Sequence, residues 1–336
     1  MPIKLPHAVI IGAGVSGLAA AHALRERNYI RITTIELNSK WGGSLRGARL
    51  IGGIVVDFGR VGTLDDPNDE LWDEIGLEDE LIPIDMHEPG DWVMFRHSQA
   101  SVVRALKPQL EELLLLRSAV TSIGEFDANA RAHGFPRFCL CLENGTVLEA
   151  DAVIIAVPAP RAERILRSLS PAAAAQLVNY RFDSILRVNI VHYTQDIDRD
   201  LRGMRVGGKP ITYVVRVDHP IRVPDGMTWH QFGLRYDPTA GDPEWENRGI
   251  SEQIATLFDL RVAPKIRPHL FAWPFDEPLE WRDAGFAARM EALHRALPDG
   301  VAVAGSDYVV TDKRPTIADR IRSGFAAADR VYPALI

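Results

Sequence analysis

The stretch AVIIGAGVSGLAAAHALRERNYIRITTIELNSKWGG, residues 8–43, constrains this chain more than any other part of it. Residues 8–11 are a short apolar run that feeds directly into Gly12-x-Gly14-x-x-Gly17. Glycines at that spacing allow a tight turn, close backbone approach to a pyrophosphate, and close packing of the next helix. Residues 18–27 read as that helix, whose N-terminus offers free N–H groups and the positive end of its dipole to phosphate. Residues 31–35 read as the next strand, and Glu36 closes the unit at the distance from Gly17 where a carboxylate can bind ribose hydroxyls. Strand, glycine turn, helix, second strand and acid in register predict a dinucleotide site. The acid favours an unphosphorylated ribose, hence FAD or NAD rather than NADP. Gly12, Gly14, Ser16, Gly17 and Glu36 are the first expected cofactor contacts.

Leu37-Asn38-Ser39-Lys40-Trp41-Gly42-Gly43-Ser44 comes next, and Asp57-Phe58-Gly59 after it. This stretch resembles the amine oxidase and protoporphyrinogen oxidase superfamily of FAD enzymes. In that family a basic residue, a Gly-Gly pair whose backbone meets the pyrophosphate, and a later Asp-x-Gly follow the ribose-binding acid. Lys40, Gly42, Gly43, Asp57 and Gly59 match those positions. The resemblance implies FAD and adds Leu37, Lys40, Gly42, Gly43, Ser44 and Val120 to the expected contacts.

Three more segments resemble the family in its own order: a helix and turn at 69–83, a strand returning to the nucleotide sheet at 151–158, and a closing strand, loop and helix at 301–331. In the closing segment residues 301–304 read as a buried strand. Gly305-Ser306-Asp307 then forms a turn placing Gly305 and Asp307 where the family contacts the flavin ribityl and phosphate. Thr316-x-x-Asp319 fits a capping box, and Ile317, Ile321, Phe325 and Ala328 form one apolar helix face. The resemblance puts Thr316 and Ile317, at this helix N-terminus, against the flavin's pyrimidine edge. The implied fold is α/β. A Rossmann-type FAD-binding domain with a parallel sheet (1–84, 100–160 and 296–336) is interleaved with a smaller α+β substrate domain (85–99 and 161–295). Residues 203–243 are the expected place of the substrate sheet, 171–175 and 326–328 read as helix, and 124–134 as a surface connection.

At 336 residues the chain can hold two cores, and 46% apolar with 25% charged residues is ordinary for a globular protein. A net charge of −7 with scattered arginines argues against a nucleic-acid partner. No apolar stretch approaches the length of a membrane-spanning helix and the N-terminus reads as a strand, so no membrane span and a cytoplasmic location are expected. Cys139 and Cys141, two apart on one strand, share a face and make a poor disulfide. No metal is expected.

The substrate half departs from the family. Only the short segment 85–99 stands where usual members carry a long helical part before the helix equivalent to 101–116. The shortened cap implies an open flavin face, a partner lid, or a homodimer covering the opening through residues 92–95 or 203–243. A second G-x-G-x-x-G in strand-helix context is absent, which points to one cofactor.

Amine oxidases carry a lysine on the strand equivalent to 185–193, and this chain has Arg187, Asn189 and His192 there. The departure favours protoporphyrinogen oxidase or desaturase chemistry. Arg187 and Asn189 share one strand face and His192 takes the other, where it reads as a structural histidine. Arg60, directly after Asp57-Phe58-Gly59, is the cation expected near the flavin; it is read as a bidentate anchor for a substrate carboxylate or as a surface ion pair. Trp273 resembles the family's aromatic before the closing strand, with core packing as the other reading. Arg60, Arg187 and Trp273 are the expected catalytic groups. The expected activity is an FAD-dependent oxidoreductase taking a hydride from a C–N or C–C bond of a small organic substrate, with oxygen as acceptor. A flavin-dependent isomerase resembling the nucleotide-sugar mutases and a non-catalytic flavoprotein scaffold are the alternatives.

Overall fold

A computed structural model of the chain describes residues 5–27, 29–50, 53–86, 90–107, 113–196, 205–206, 209–239 and 269–336. Backbone contacts divide the chain into two units: Met1–Gly43, Val103–Arg181 and Pro278–Ile336 form the first, and Ser44–Val102 with Phe182–Glu277 the second. Residues 44–84, assigned from sequence to the nucleotide domain, cluster with the second unit, and residues 161–181 and 278–295 cluster with the first. The side chains agree for the latter pieces: Arg181 pairs with buried Glu280 at 2.7 Å, and the Tyr180 hydroxyl donates to the Asp307 carbonyl at 2.8 Å.

The first unit is built on strands β1 (His7–Ile11), β2 (Arg31–Glu36), β3 (Leu113–Leu116), β4 (Ala152–Ile155) and β5 (Val301–Val303), all parallel, in the order β3-β2-β1-β4-β5. This is the doubly wound nucleotide-binding order. Every residue of β1, β4 and β5 is buried, which is why these strands read as continuous apolar runs and not as alternating ones. Helix α1 (Val15–Arg25) starts directly after Gly14, so Gly17 lies inside its first turn, and the helix begins earlier than the sequence suggested. Helix α2 (Ala159–Leu169) follows β4, and helix α3 (Ile317–Val331) closes the fold.

Helices α1 and α3 cover one face of the sheet. Ala20, Ala21 and Leu24 of the first and Ala327, Ala328 and Val331 of the second pack with Ala8, Ile10 and Ile154. Small residues set the spacing: a Cβ on Gly324 would lie 2.3 Å from the Ser16 carbonyl oxygen. The capping box of α3 is present in full, with Asp319 N donating to Thr316 Oγ1 at 3.2 Å and Thr316 N to Asp319 Oδ2 at 2.8 Å. Phe325, expected on the buried face, is half-buried and stacks on His22.

Two local expectations are corrected. Residues 101–116 are not one helix: a helix covers Ala100–Ala105, and Leu113–Leu116 is β3, pairing with β2. Pro108 disfavours helical backbone at Lys107, and the four leucines complete the sheet edge. Nor is 124–134 a plain connection. The strand Val120–Glu125 runs into it, and Asp127 caps a short helix, Ala128–Ala132, by accepting from Ala130 N. Cys139 and Cys141 are free, half-buried thiols on one strand face.

In the second unit, five strands run in the order Arg205–Val206, Lys209–Val217, Met227–Arg235, Phe182–Tyr193 and His269–Pro278. Three of them lie where the substrate sheet was expected; residues 203–204, 207–208 and 240–243 of that stretch lie outside the described residues. Trp92, Val93, Met94 and Phe95 are each at most 6% exposed, as are Val215, Trp229 and Phe232. Trp92, Met94, Val215 and Trp229 belong to one core cluster of this unit, so these side chains face its interior, whereas Ile221 in the 203–243 stretch is exposed.

Candidate functional site

The glycine turn of the first unit is fixed by its own backbone. Gly12 has φ +105°, and a Cβ there would sit 2.3 Å from the Ala156 carbonyl oxygen; one on Gly17 would sit 1.9 Å from the Gly12 carbonyl oxygen. Gly14 differs. Its φ of −73° suits any residue, and a Cβ there would meet no atom within 4 Å among the described residues. No side chain caps α1, and no acid lies in its first turn. An uncapped helix start beneath open space, flanked by glycine, is a cradle for pyrophosphate, and FAD fits it. Gly42 and Gly43 have φ of +102° and +56°, Gly42 N donates to the Ala13 carbonyl at 2.7 Å, and a Cβ on Gly43 would lie 3.2 Å from Gly14 Cα. The Gly-Gly pair therefore closes over the fingerprint.

Glu36 ends β2 and is 7% exposed. Its Oε2 accepts from Ala13 N at 3.0 Å, and its Oε1 from Asn38 N at 2.8 Å and Asn38 Nδ2 at 2.6 Å. These bonds hold the acid at the mouth of the turn. Ser118 N donates to the Glu36 carbonyl and Arg117 N to that of Asn38, which brings the segment leading to Val120 alongside. Ser16 and Val120 are buried, Leu37 and Lys40 are exposed, and Ser44 is half-buried in the second unit.

At the other end of the sheet, Gly305 has φ +142° and leads into Asp307, which is 6% exposed. Asp307 Oδ2 accepts from Ala159 N at 2.8 Å, at the start of α2, and Oδ1 accepts from Ser306 Oγ at 3.0 Å. The carboxyl is thus engaged within the unit. Burial pushes its pKa up to about 6, against the hydrogen bonds from Ala159 and Ser306, which favour the carboxylate. A folded pKa above the unfolded value means that this group's contribution is present below about pH 4 and is lost as pH rises through 6. Asp307→Asn is therefore expected to raise the unfolding free energy at pH 7.5, read from the urea midpoint, by on the order of 2 kcal/mol, with no such gain at pH 4. Equal changes at the two pH values would contradict this. Thr316 and Ile317, both buried, form the α3 N-terminus.

The second unit holds all three residues expected from sequence to be catalytic: Arg60 lies on a short loop, Trp273 donates to a carbonyl of that loop, and Arg187 pairs with Asp276. From Asp57 to Arg60 each carbonyl accepts a hydrogen bond from a side chain. Gln231 Nε2 donates to Asp57 O (3.2 Å) and Gly59 O (2.9 Å), Trp273 Nε1 to Phe58 O (3.0 Å), and Gln99 Nε2 to Arg60 O. Val61 N donates to Gln231 Oε1 at 3.0 Å. Asp57 itself is fully buried. It pairs with Arg222 at 2.8 Å and accepts from Ser98 Oγ and Gln99 N, so here it serves the loop's structure.

Arg60 is half-buried, its guanidinium carbon 4.6 Å from the Trp92 ring centre and 4.4 Å from that of Tyr213. Arg187 is 3% exposed. Its Nη2 meets both Asp276 oxygens at 2.5 and 2.6 Å, and its Nε donates to the Tyr213 hydroxyl at 3.1 Å. That hydroxyl donates to Gln231 Oε1 at 3.2 Å. Asn189, on the same strand face, accepts from Trp229 Nε1 and Gln231 Nε2. On the opposite face His192 Nε2 lies 2.8 Å from His230 Nδ1, so Arg187 and His192 do not converge. Sequence reasoning missed Tyr213, Gln231, Asp276 and Trp92. No motif marks them, since side chains from separated segments assemble this cluster.

Two family models match the chain: an NAD(P)-binding Rossmann-like domain over residues 10–73, and flavin-containing amine oxidoreductase over residues 84–196. Among solved structures it is similar to a putative protoporphyrinogen oxidase from Exiguobacterium sp. 255-15, at 14% identity and TM-score 0.77, with 98% of this chain and 99% of that one covered. It is also similar to cyclohexylamine oxidase from Brevibacterium oxydans IH-35A, at 14% identity and TM-score 0.67, covering 99% and 100%. An oxidoreductase from Methanosarcina mazei matches at 12% identity and TM-score 0.62, covering 96% and 99%. The fingerprint, the sheet order and the flavin-containing amine oxidoreductase match over residues 84–196 support an FAD-dependent oxidoreductase of the amine oxidase type, and the similar solved structures share its fold.

Proposed function

We propose that this protein oxidises a small organic molecule by removal of hydride from a C–N or C–C bond, with molecular oxygen as the final acceptor. The observation that carries the reading is the dinucleotide cradle, with Gly14 opening onto space and Glu36 held at its mouth. Glu36 would hold the ribose hydroxyls, the α1 N-terminus and Gly42-Gly43 the pyrophosphate, and Leu37, Lys40, Ser44 and Val120 would line the adenosine and phosphate end. Gly305, Asp307, Thr316 and Ile317 would serve the flavin end. When bound, FAD supplies the hydride acceptor; the protein's part is to orient the substrate, exclude water and fix charge. Arg60, Arg187 and Trp273 are the residues proposed for that part, the first as a cation and the other two as positioning groups.

Assembly belongs to the same proposal. A short cap leaves the flavin face in need of cover, because water weakens electrostatic control and hydrolyses imines. A twofold homodimer is the simplest cover. Sedimentation checks it: a monomer at micromolar concentration with full turnover of a free small molecule would exclude the dimer lid.

The activity test is anaerobic mixing of the FAD-loaded protein with primary amines, cyclic amines and saturated carbonyl compounds. Bleaching of the oxidised flavin absorbance by one class, with recovery on admitting air, is expected. If no class bleaches it, hydride removal from these bonds is excluded; turnover without bleaching would favour a non-redox isomerase.

A further inference from the structure

We propose that Arg117 contacts the adenine of the dinucleotide, its guanidinium stacking on the ring, and that the strained backbone at this position is kept for that side chain. The inference rests on the FAD cradle described above and extends it by one strand.

Sheet order places the residue. β1, β2 and β3 are parallel neighbours, so their carboxyl ends lie along one edge, each about 4.8 Å from the next. The end of β1 carries the glycine turn for the pyrophosphate, and the end of β2 carries Glu36 for the ribose. A dinucleotide laid across this edge presents its base next, at the end of β3. Leu116 is the register partner of Glu36, and Arg117 follows it directly. Two backbone bonds fasten the turn to that edge: Arg117 N donates to the Asn38 carbonyl at 3.1 Å, and Ser118 N to the Glu36 carbonyl at 3.0 Å. Asn38 in turn donates to Glu36 Oε1 through both N and Nδ2. The turn and the ribose acid are thus one hydrogen-bonded piece.

Strain sets the residue apart. Arg117 has φ +52°, in the left-handed region that a Cβ disfavours. Asp79 and Asn179 share that region but are residue types that adopt it readily, and Tyr29, which also shares it, precedes β2 at the amino end of the sheet. A glycine at 117 would hold the same turn without the steric cost. The arginine side chain is exposed and takes no hydrogen-bond or ion-pair partner among the described residues, so no contact there offsets the cost. Residues held in this way cluster where ligands are gripped. The chemistry of the side chain narrows the ligand group. A planar guanidinium stacks on an aromatic face, and the pyrophosphate is already served on the β1 side by the α1 N-terminus and Gly42-Gly43.

Titration of the full-length apoprotein with FAD, and with ADP, which carries the adenosine half alone, tests this beside thermal unfolding of the same apoprotein. Arg117→Gly is expected to weaken both ligands by about fivefold or more, the loss of a stacking contact. The same change should raise the thermal midpoint by about 2–4 °C, because glycine adopts the left-handed region freely. A merely structural residue would not move the two readouts in opposite senses. Arg117→Lys keeps the charge and loses the plane, so it should stay about threefold or more weaker than wild type for both ligands. Unchanged affinity in Arg117→Gly, a midpoint that does not rise, or full affinity in Arg117→Lys, which would assign the side chain to a phosphate, would each overturn the proposal. Wild type that binds neither ligand would instead overturn the cradle on which the proposal rests.

Discussion

Arg222→Met is expected to lower the unfolding free energy by about 3–5 kcal/mol, read as a drop in the urea midpoint. Arg222 and Asp57 are both fully buried side chains, 2.8 Å apart. The guanidinium also donates to the Phe95 carbonyl at 2.8 Å and the Val55 carbonyl at 3.1 Å, and lies 5.1 Å from the Trp229 ring centre. Methionine fills much of the volume but leaves a buried carboxylate oxygen and two carbonyls without that donor. Removing one partner of a buried pair is costly because the other charge stays behind. Adding Asp57→Asn to Arg222→Met should therefore cost much less than the sum of the two single changes. Additive losses would mean that the two residues act independently.

The second large effect separates glycines that look alike in sequence. Gly17→Ala is expected to destabilise the first unit by about 3 kcal/mol or more, because the new methyl group meets the Gly12 carbonyl oxygen at 1.9 Å, and backbone cannot yield as a side chain can. Gly12→Ala should do likewise, with the strain of φ +105° added to the 2.3 Å approach to Ala156. Gly14→Ala should leave the thermal midpoint within about 2 °C of wild type, since its backbone is ordinary and its Cβ direction is open. Comparable losses at Gly14 and Gly17 would contradict this reading of the turn.

How much of this was legible in the sequence follows from how local each signal is. The β1-turn-α1-β2 unit was readable because glycine spacing, apolar runs and a single acid all lie in one short stretch, from Ala8 to Glu36. The capping box of α3 was readable for the same reason. Leu113–Leu116 misled: an apolar run of four fits helix or strand, and only its pairing with Thr33 to Glu36 makes it an edge strand. Asp57 carried a family motif, yet its carboxylate faces Arg222, far along the chain, a pairing that no spacing rule reveals. The cluster around Arg60 was half legible. Arg60, Arg187 and Trp273 stood out by residue type, while Gln231, which ties the loop together, is an unremarkable polar residue on a strand until the fold brings it to Asp57 and Gly59.

The central claim is that the cradle of Gly14 and Glu36 binds FAD, and equilibrium titration of the apoprotein with FAD, followed by flavin fluorescence, tests it most directly. Wild type should bind FAD; Gly14→Ala, folded as wild type, should bind it at least tenfold more weakly. Glu36→Lys should lose about 1.5–3 kcal/mol of affinity or more from the missing charge-assisted hydrogen bonds. A wild-type protein that takes up no FAD, or one whose FAD dissociation constant is unchanged in both variants, would contradict the account.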